Sequence, residues 1–150
     1  MITRRSILSI PGALLVASCG AAPPPPAVLT LAMNAGPDVN PGASGGPTAV
    51  AVRLYQLTAT AKFERADVFA LTEREQATLG TDSLGSEEFV LKPGESRTIT
   101  RDLKKDVQFV GVVALFRDID HAKWRAFAPV AASGPTRRAL TISRLSVSLA

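Results

Sequence analysis

The chain holds a single cysteine, Cys19, directly behind Val16-Ala17-Ser18. An aliphatic residue, two small residues and a cysteine form the pattern that lipoprotein signal peptidase reads. Small residues let the backbone lie extended in the protease cleft, the sulfur is the nucleophile for diacylglycerol transfer, and the freed amine can take a third acyl chain. Upstream, Arg4 and Arg5 form a positive n-region and residues 6–16 an apolar run. That run falls short of the roughly 20 apolar residues a spanning helix needs, and its flanks fit a cleaved signal. A lone cysteine is more often a buried small hydrophobe, but Gly20, Ala21 and four prolines follow this one, where no core could form. Cleavage before Cys19 and acylation of its sulfur are therefore expected. Gly20 stands where inner-membrane lipoproteins often carry aspartate, which favours outer-membrane sorting. Thr3-Arg4-Arg5 also resembles a twin-arginine motif, and two arginines fit an ordinary secretory signal too, so the sequence leaves the export route open.

Other residues with chemical potential lack the context their chemistry needs. Gly42-Ala43-Ser44-Gly45-Gly46 has the spacing of a nucleophile elbow, but that device needs a strand before the serine and a helix after it. Here the match lies in a Gly/Pro loop that leads into a strand. His121 is the only histidine, and Asp118-Ile119-Asp120-His121 reads as a polar turn. With one histidine and no free thiol once Cys19 is acylated, the usual zinc sets are excluded, and so is a disulfide. Asp118 and Asp120 are too few for a calcium loop. Glu87 and Glu88 are neighbours on an expected strand, so they point to opposite faces and cannot share a substrate. No glycine-rich loop precedes a helix to cradle a phosphate. No catalytic residue, metal or dissociable cofactor is expected, only the covalent lipid on Cys19.

The elements that would carry such a chain follow from composition and period. Of 150 residues, a signal over 1–18 leaves about 130, enough for one packed domain. Two of the four net positive charges belong to Arg4 and Arg5, and no basic run is interleaved with aromatics, so nucleic acid is not an expected partner. Residues 19–27 form an acylated, proline-rich spacer inclined to polyproline II, and residues 28–150 form the domain. Residues 28–34 read as a first strand. Residues 35–48 form a long loop with four glycines and three prolines, and long structureless loops are uncommon in compact domains unless functional. Residues 49–57 alternate as a half-buried strand.

Residues 62–71 change to helical spacing. Thr72-Glu73-Arg74-Glu75 matches a capping box and Leu79-Gly80 a glycine stop. Strands are expected over 87–91 and 96–101, joined by Lys92-Pro93-Gly94-Glu95 as a type II turn. The near-continuous apolar stretch within 106–119 suits a central strand covered on both faces. Residues 124–130 and 139–149 complete about seven short strands, which indicate an all-β, two-sheet sandwich with a short helical insertion.

These residues also carry a resemblance. Val52-Arg53-Leu54-Tyr55-Gln56-Leu57, Phe63, Ala66-Asp67-Val68-Phe69-Ala70-Leu71 and Leu79-Gly80 look like the TssJ lipoproteins of the type VI secretion system. The likeness runs on through Glu88, Leu91-Lys92-Pro93-Gly94-Glu95, Gly111-Val112-Val113-Ala114, Phe116-Arg117-Asp118-Ile119 and Trp124-Arg125. It departs at Val68, where the family often has a second phenylalanine, and in the four-proline spacer. The resemblance implies a transthyretin-like fold tethered to the inner leaflet of the outer membrane and facing the periplasm. It implies as partner the periplasmic C-terminal region of TssM, in a complex that includes TssL. In the family the loop between the first two strands contributes to that contact, and here Pro37, Asp38, Val39 and Asn40 are the candidates. Trp124, Arg125, Arg117 and Asp118 read as core and strand-end structure. A strand added to a sandwich edge is a second possible contact. The competing reading is a ligand- or peptidoglycan-binding lipoprotein, which requires a concave polar pocket. An enzyme would have to use Ser44 and His121.

Overall fold

The computed structural model describes residue 12 and residues 20–150. Residues 1–11 and 13–19, and with them Val16, Ala17, Ser18 and Cys19 of the expected signal and lipidation site, lie outside the described residues. Strand β1, Val28–Ala35, buries Leu29, Leu31, Met33 and Ala35 and turns the residues between them outward. A period of two with one apolar face demands a second apolar layer. That layer is supplied by β2, Val50–Leu57, and β5, Phe109–Leu115, which bury Val50, Val52, Leu54, Val110, Val112 and Ala114 against β1.

The remaining strands are β3 (Ser83–Leu91), β4 (Ser96–Asp102), β6 (Arg125–Pro129), β7 (Pro135–Ile142) and β8 (Val147–Leu149). They make two four-stranded sheets, ordered β4-β1-β7-β8 and β3-β2-β5-β6. Every pairing is antiparallel except β1 with β7. The expected all-β sandwich is present. The count is eight rather than seven because residues 139–149 belong to two strands. Ser143 donates its N–H to the Ser146 carbonyl at 2.8 Å, which turns the chain between β7 and β8. The turn after β3 has the expected geometry: Gly94 has φ +75° and Glu95 N–H reaches the Lys92 carbonyl at 3.0 Å.

The helical insertion is three short helices, α1 (Ala61–Arg65), α2 (Val68–Glu73) and α3 (Glu75–Leu79), laid over the outer face of the second sheet. None is long enough to persist alone, so packing must hold them. Phe63, Leu71 and Leu79 are each fully buried against Tyr55, Leu57 and Val113, and each such burial contributes about 1.5–3 kcal/mol. Gly111 makes room for this layer, because a Cβ there would sit 2.7 Å from the Phe63 ring. Helix ends are satisfied from the sheet below. Tyr55 Oη donates to the Leu71 carbonyl, Arg53 to the Thr72 carbonyl, and Arg125 to the Phe63 and Ala66 carbonyls.

The capping box at Thr72 does not form. Thr72 is already inside α2, where its hydroxyl donates to the Val68 carbonyl, and α3 starts at Glu75 with no side-chain cap. The cap that does form is Asp67, which accepts the Ala70 N–H at 2.8 Å. The glycine stop holds, with Gly80 at φ +53°.

Candidate functional site: the loop end of the sandwich

Strand direction decides what lies at each end. The spacer is stitched to the start of β1: Gly134 N–H donates to the Pro25 carbonyl, Leu103 N–H to the Ala27 carbonyl and Val28 N–H to the Gly134 carbonyl. β1 then runs eight residues, a rise of about 26 Å, before the chain enters the loop over 36–49. That loop therefore projects from the end opposite the spacer. The 92–95 turn and the segments over 116–123 and 143–146 lie at the same end, since each connects strand termini there.

The loop is built, not slack. Val39 is fully buried and plugs the end of the inter-sheet core. Asn40 is 3% exposed with φ +49°, a backbone region asparagine tolerates better than most residues. Its N–H donates to the Arg144 carbonyl at 2.9 Å and its Nδ2 to the Ala49 carbonyl at 2.8 Å, while Oδ1 accepts the Arg117 N–H at 2.8 Å. Beyond it Gly42 N–H bonds the Gly46 carbonyl and Gly45 N–H the Gly42 carbonyl, closing a tight tip. Of the four residues singled out as partner contacts, Pro37 and Asp38 are exposed, whereas Val39 and Asn40 face inward and hold the loop's shape. The exposed surface continues through Ala43, Ser44, Gly45, Gly46 and Pro47. Burial of Val39 and Asn40 needs partners from two distant segments, which local reading could not supply.

Ser44 sits in that tip with no helix behind it, and no hydrogen bond joins it to His121 among the described residues. His121 closes a single 3-10 turn, Ile119–His121, and its Nδ1 lies 2.8 Å from Asp118 Oδ1. That hydrogen bond, with the charges of Asp118 and Asp120, raises the imidazole pKa although the ring is open to solvent. Glu87 and Glu88 point to opposite faces, Glu87 pairing with Arg101 and Glu88 with Arg53. Among the described residues no cluster of three His, Cys, Asp or Glu side chains could hold a metal.

Several open clefts mark the surface, one of them among Arg117, Asp118 and Arg144 at the loop end. A cleft of about 260 Å³ between the sheets is lined by Gln56, Glu87, Arg101 and Lys104. Its polar groups are already engaged: Arg101 with Glu87, Lys104 Nζ with the Leu84 carbonyl, and the Gln56 amide oxygen with Lys104 N–H. Lys104, together with Arg97, also blunts the β3 edge, the two bonding the Leu84 and Val90 carbonyls. Such capping opposes strand addition at that edge. On the other side of the sandwich a single bridge joins Lys123 and Ser146, next to the starts of β6 and β8. Arg125 and Trp124 are structural, the guanidinium lying 4.4 Å over the indole.

Two sheets, with residues 25–27 bonded to one end and a hydrogen-bonded, exposed loop at the other, define a small β-sandwich domain. The sequence matches the model of the family described as type VI secretion lipoprotein, VasD, EvfM, TssJ, over residues 27–145. The chain belongs to that family. Among solved structures it is similar to the T6SS lipoprotein TssJ1 from Pseudomonas aeruginosa, at 36% identity and a TM-score of 0.80, covering 84% of this chain and 96% of that one. A chain of a type VI membrane complex is 30% identical with a TM-score of 0.73, covering 82% and 97%. A chain in the structure of the T6SS protein TssM C-terminal domain from EAEC is 29% identical with a TM-score of 0.69, covering 82% and 97%. No curated protein sequence matches the chain significantly.

Proposed function

We propose that the chain is the lipid-anchored tether of a type VI secretion membrane complex, acylated at Cys19 after cleavage behind Val16, Ala17 and Ser18. It sits on the inner leaflet of the outer membrane, faces the periplasm, and holds the periplasmic C-terminal region of TssM in a complex that includes TssL. One observation carries the reading: the spacer is bonded to one end of the sandwich, and the stiffened loop over 36–49 leaves from the other. An anchor at one end and a contact surface at the other is the arrangement a tether requires. Family membership and the similarity to chains in a type VI membrane complex and a TssM C-terminal domain structure support it.

The physics is force transmission without chemistry. One acyl chain binds a bilayer marginally, whereas two or more, at about 0.8 kcal/mol per buried methylene, attach lastingly. Residues 20–24 then span at most about 16 Å in polyproline II form, which keeps the domain close to the bilayer. Pro37 and Asp38 contact the partner, and Val39 and Asn40 set the loop that presents them. A loop ordered before binding loses less entropy on binding. The test is Cys19→Ser in cells. The variant is expected to fold and be exported, to leave the outer-membrane fraction, and to stop effector delivery. Unchanged delivery would remove the anchoring role.

A further inference from the structure

At the loop end, Pro41, Gly42, Gly45, Arg117, Asp118 and Arg144 line an open cleft of about 410 Å³. The two arginines come from segments far apart in sequence, and Asn40 sets them both. It accepts the Arg117 N–H through Oδ1 and gives its own N–H to the Arg144 carbonyl. Both bonds use backbone, which leaves the guanidinium groups to the cleft. Neither group pairs with a carboxylate among the described residues, so both are available to a ligand in the cleft. The acid nearest in sequence, Asp118, is engaged by His121. Gly42 adds a second feature, because a Cβ there would stand 3.3 Å from Arg117 Nη1, so its missing side chain lets the guanidinium lie across the loop.

We infer that this cleft is the docking site for an acidic segment of the protein partner, with Arg117 and Arg144 as its two carboxylate receptors. Guanidinium groups match carboxylates bidentately. Holding both backbones on one buried asparagine sets the two side chains at a common cleft before the partner arrives. Asp118 in the cleft wall disfavours a phosphodiester chain, which carries a charge at every unit, and tolerates a peptide with one or two carboxylates. The inference deepens the tether reading and rests on it, since it names the chemistry by which the loop end holds its partner.

The experiment measures binding of a TssM periplasmic C-terminal fragment to the mature chain, with salt titrations, for the unsubstituted protein, R117S/R144S, and the control K92S/K123S. The control removes two charges at the same end outside the cleft. R117S/R144S is expected to bind about tenfold more weakly or worse, with a flatter salt dependence. Its thermal unfolding should stay unchanged because neither guanidinium bonds within the domain, and K92S/K123S should bind nearly normally. Wild-type affinity in R117S/R144S, or an equal loss in K92S/K123S, overturns the docking site while leaving the tether intact. No binding by the unsubstituted chain overturns the partner reading and the docking site together.

Discussion

Asn40 Oδ1 accepts the backbone N–H of Arg117 at 2.8 Å across 77 positions of sequence. This bond joins the loop after β1 to the segment after β5, so the exposed tip is carried on a buried polar node. A buried amide with both its nitrogen and its oxygen hydrogen-bonded specifies one arrangement, and losing a partner leaves an unpaired group at full desolvation cost.

Replacing Asn40 with Ala should therefore lower stability by about 2–4 kcal/mol, from two lost side-chain hydrogen bonds and a positive φ that alanine resists. Asn40→Gly relieves only the backbone part and should recover about 1 kcal/mol. Urea unfolding of both variants measures this, and proteolysis should open the loop first.

Tyr55 is buried beneath α2 and its hydroxyl donates to the Leu71 carbonyl. Burial is the main cause pushing its phenol up to about 12. A phenol whose pKa is higher folded than unfolded contributes stability that is complete below the unfolded value near 10 and is lost as pH rises through the folded one. Stability should fall between about pH 10 and 12, and Tyr55→Phe should remove that part of the decline. At neutral pH the same variant should cost about 1–2 kcal/mol, because the Leu71 carbonyl loses its donor. Denaturant midpoints across the alkaline range decide it.

Gly111→Ala places a Cβ 2.7 Å from Phe63 Cζ and 3.0 Å from Leu57 Cδ1. Overpacking of this kind costs about 1–3 kcal/mol. Adding Phe63→Leu should recover part of the loss, and a double-mutant cycle by thermal unfolding measures the coupling.

Arg125 Nη1 lies 2.7 Å and 2.6 Å from the Phe63 and Ala66 carbonyls. Arg125→Met should cost about 1.5–3 kcal/mol, as for hydrogen bonds to a charged group. The loss should be local: hydrogen exchange is expected to quicken in α1 and α2 while β1 and β7 stay protected.

What could be read from the sequence follows from the range of each interaction. The period-two faces of β1 and β2, the apolar β5 and the Pro93-Gly94 turn are local signals, and all four appear where the residues placed them. The helical insertion was legible in kind but not in detail. Thr72-Glu73-Arg74-Glu75 has capping-box spacing, yet Leu71 and Tyr55 pull Thr72 into α2 through tertiary packing. Asp67 ahead of an apolar run was the available cue for the true cap. At the loop end, sequence identified the segment but not its sidedness. Val39 and Asn40 read as exposed loop residues because their partners, Arg117 and Arg144, are far away in the chain. The same distance hid the arginine cleft.

In the proposed tether, acylated Cys19 and the loop end together couple TssM to the outer membrane. The most direct measurement is the fraction of TssM recovered with outer membranes from cells expressing the unsubstituted chain or Cys19→Ser, with both proteins quantified in each fraction. Cys19→Ser is expected to move the chain out of that fraction and to take TssM with it. TssM remaining with the outer membrane while the Cys19→Ser chain does not would contradict it.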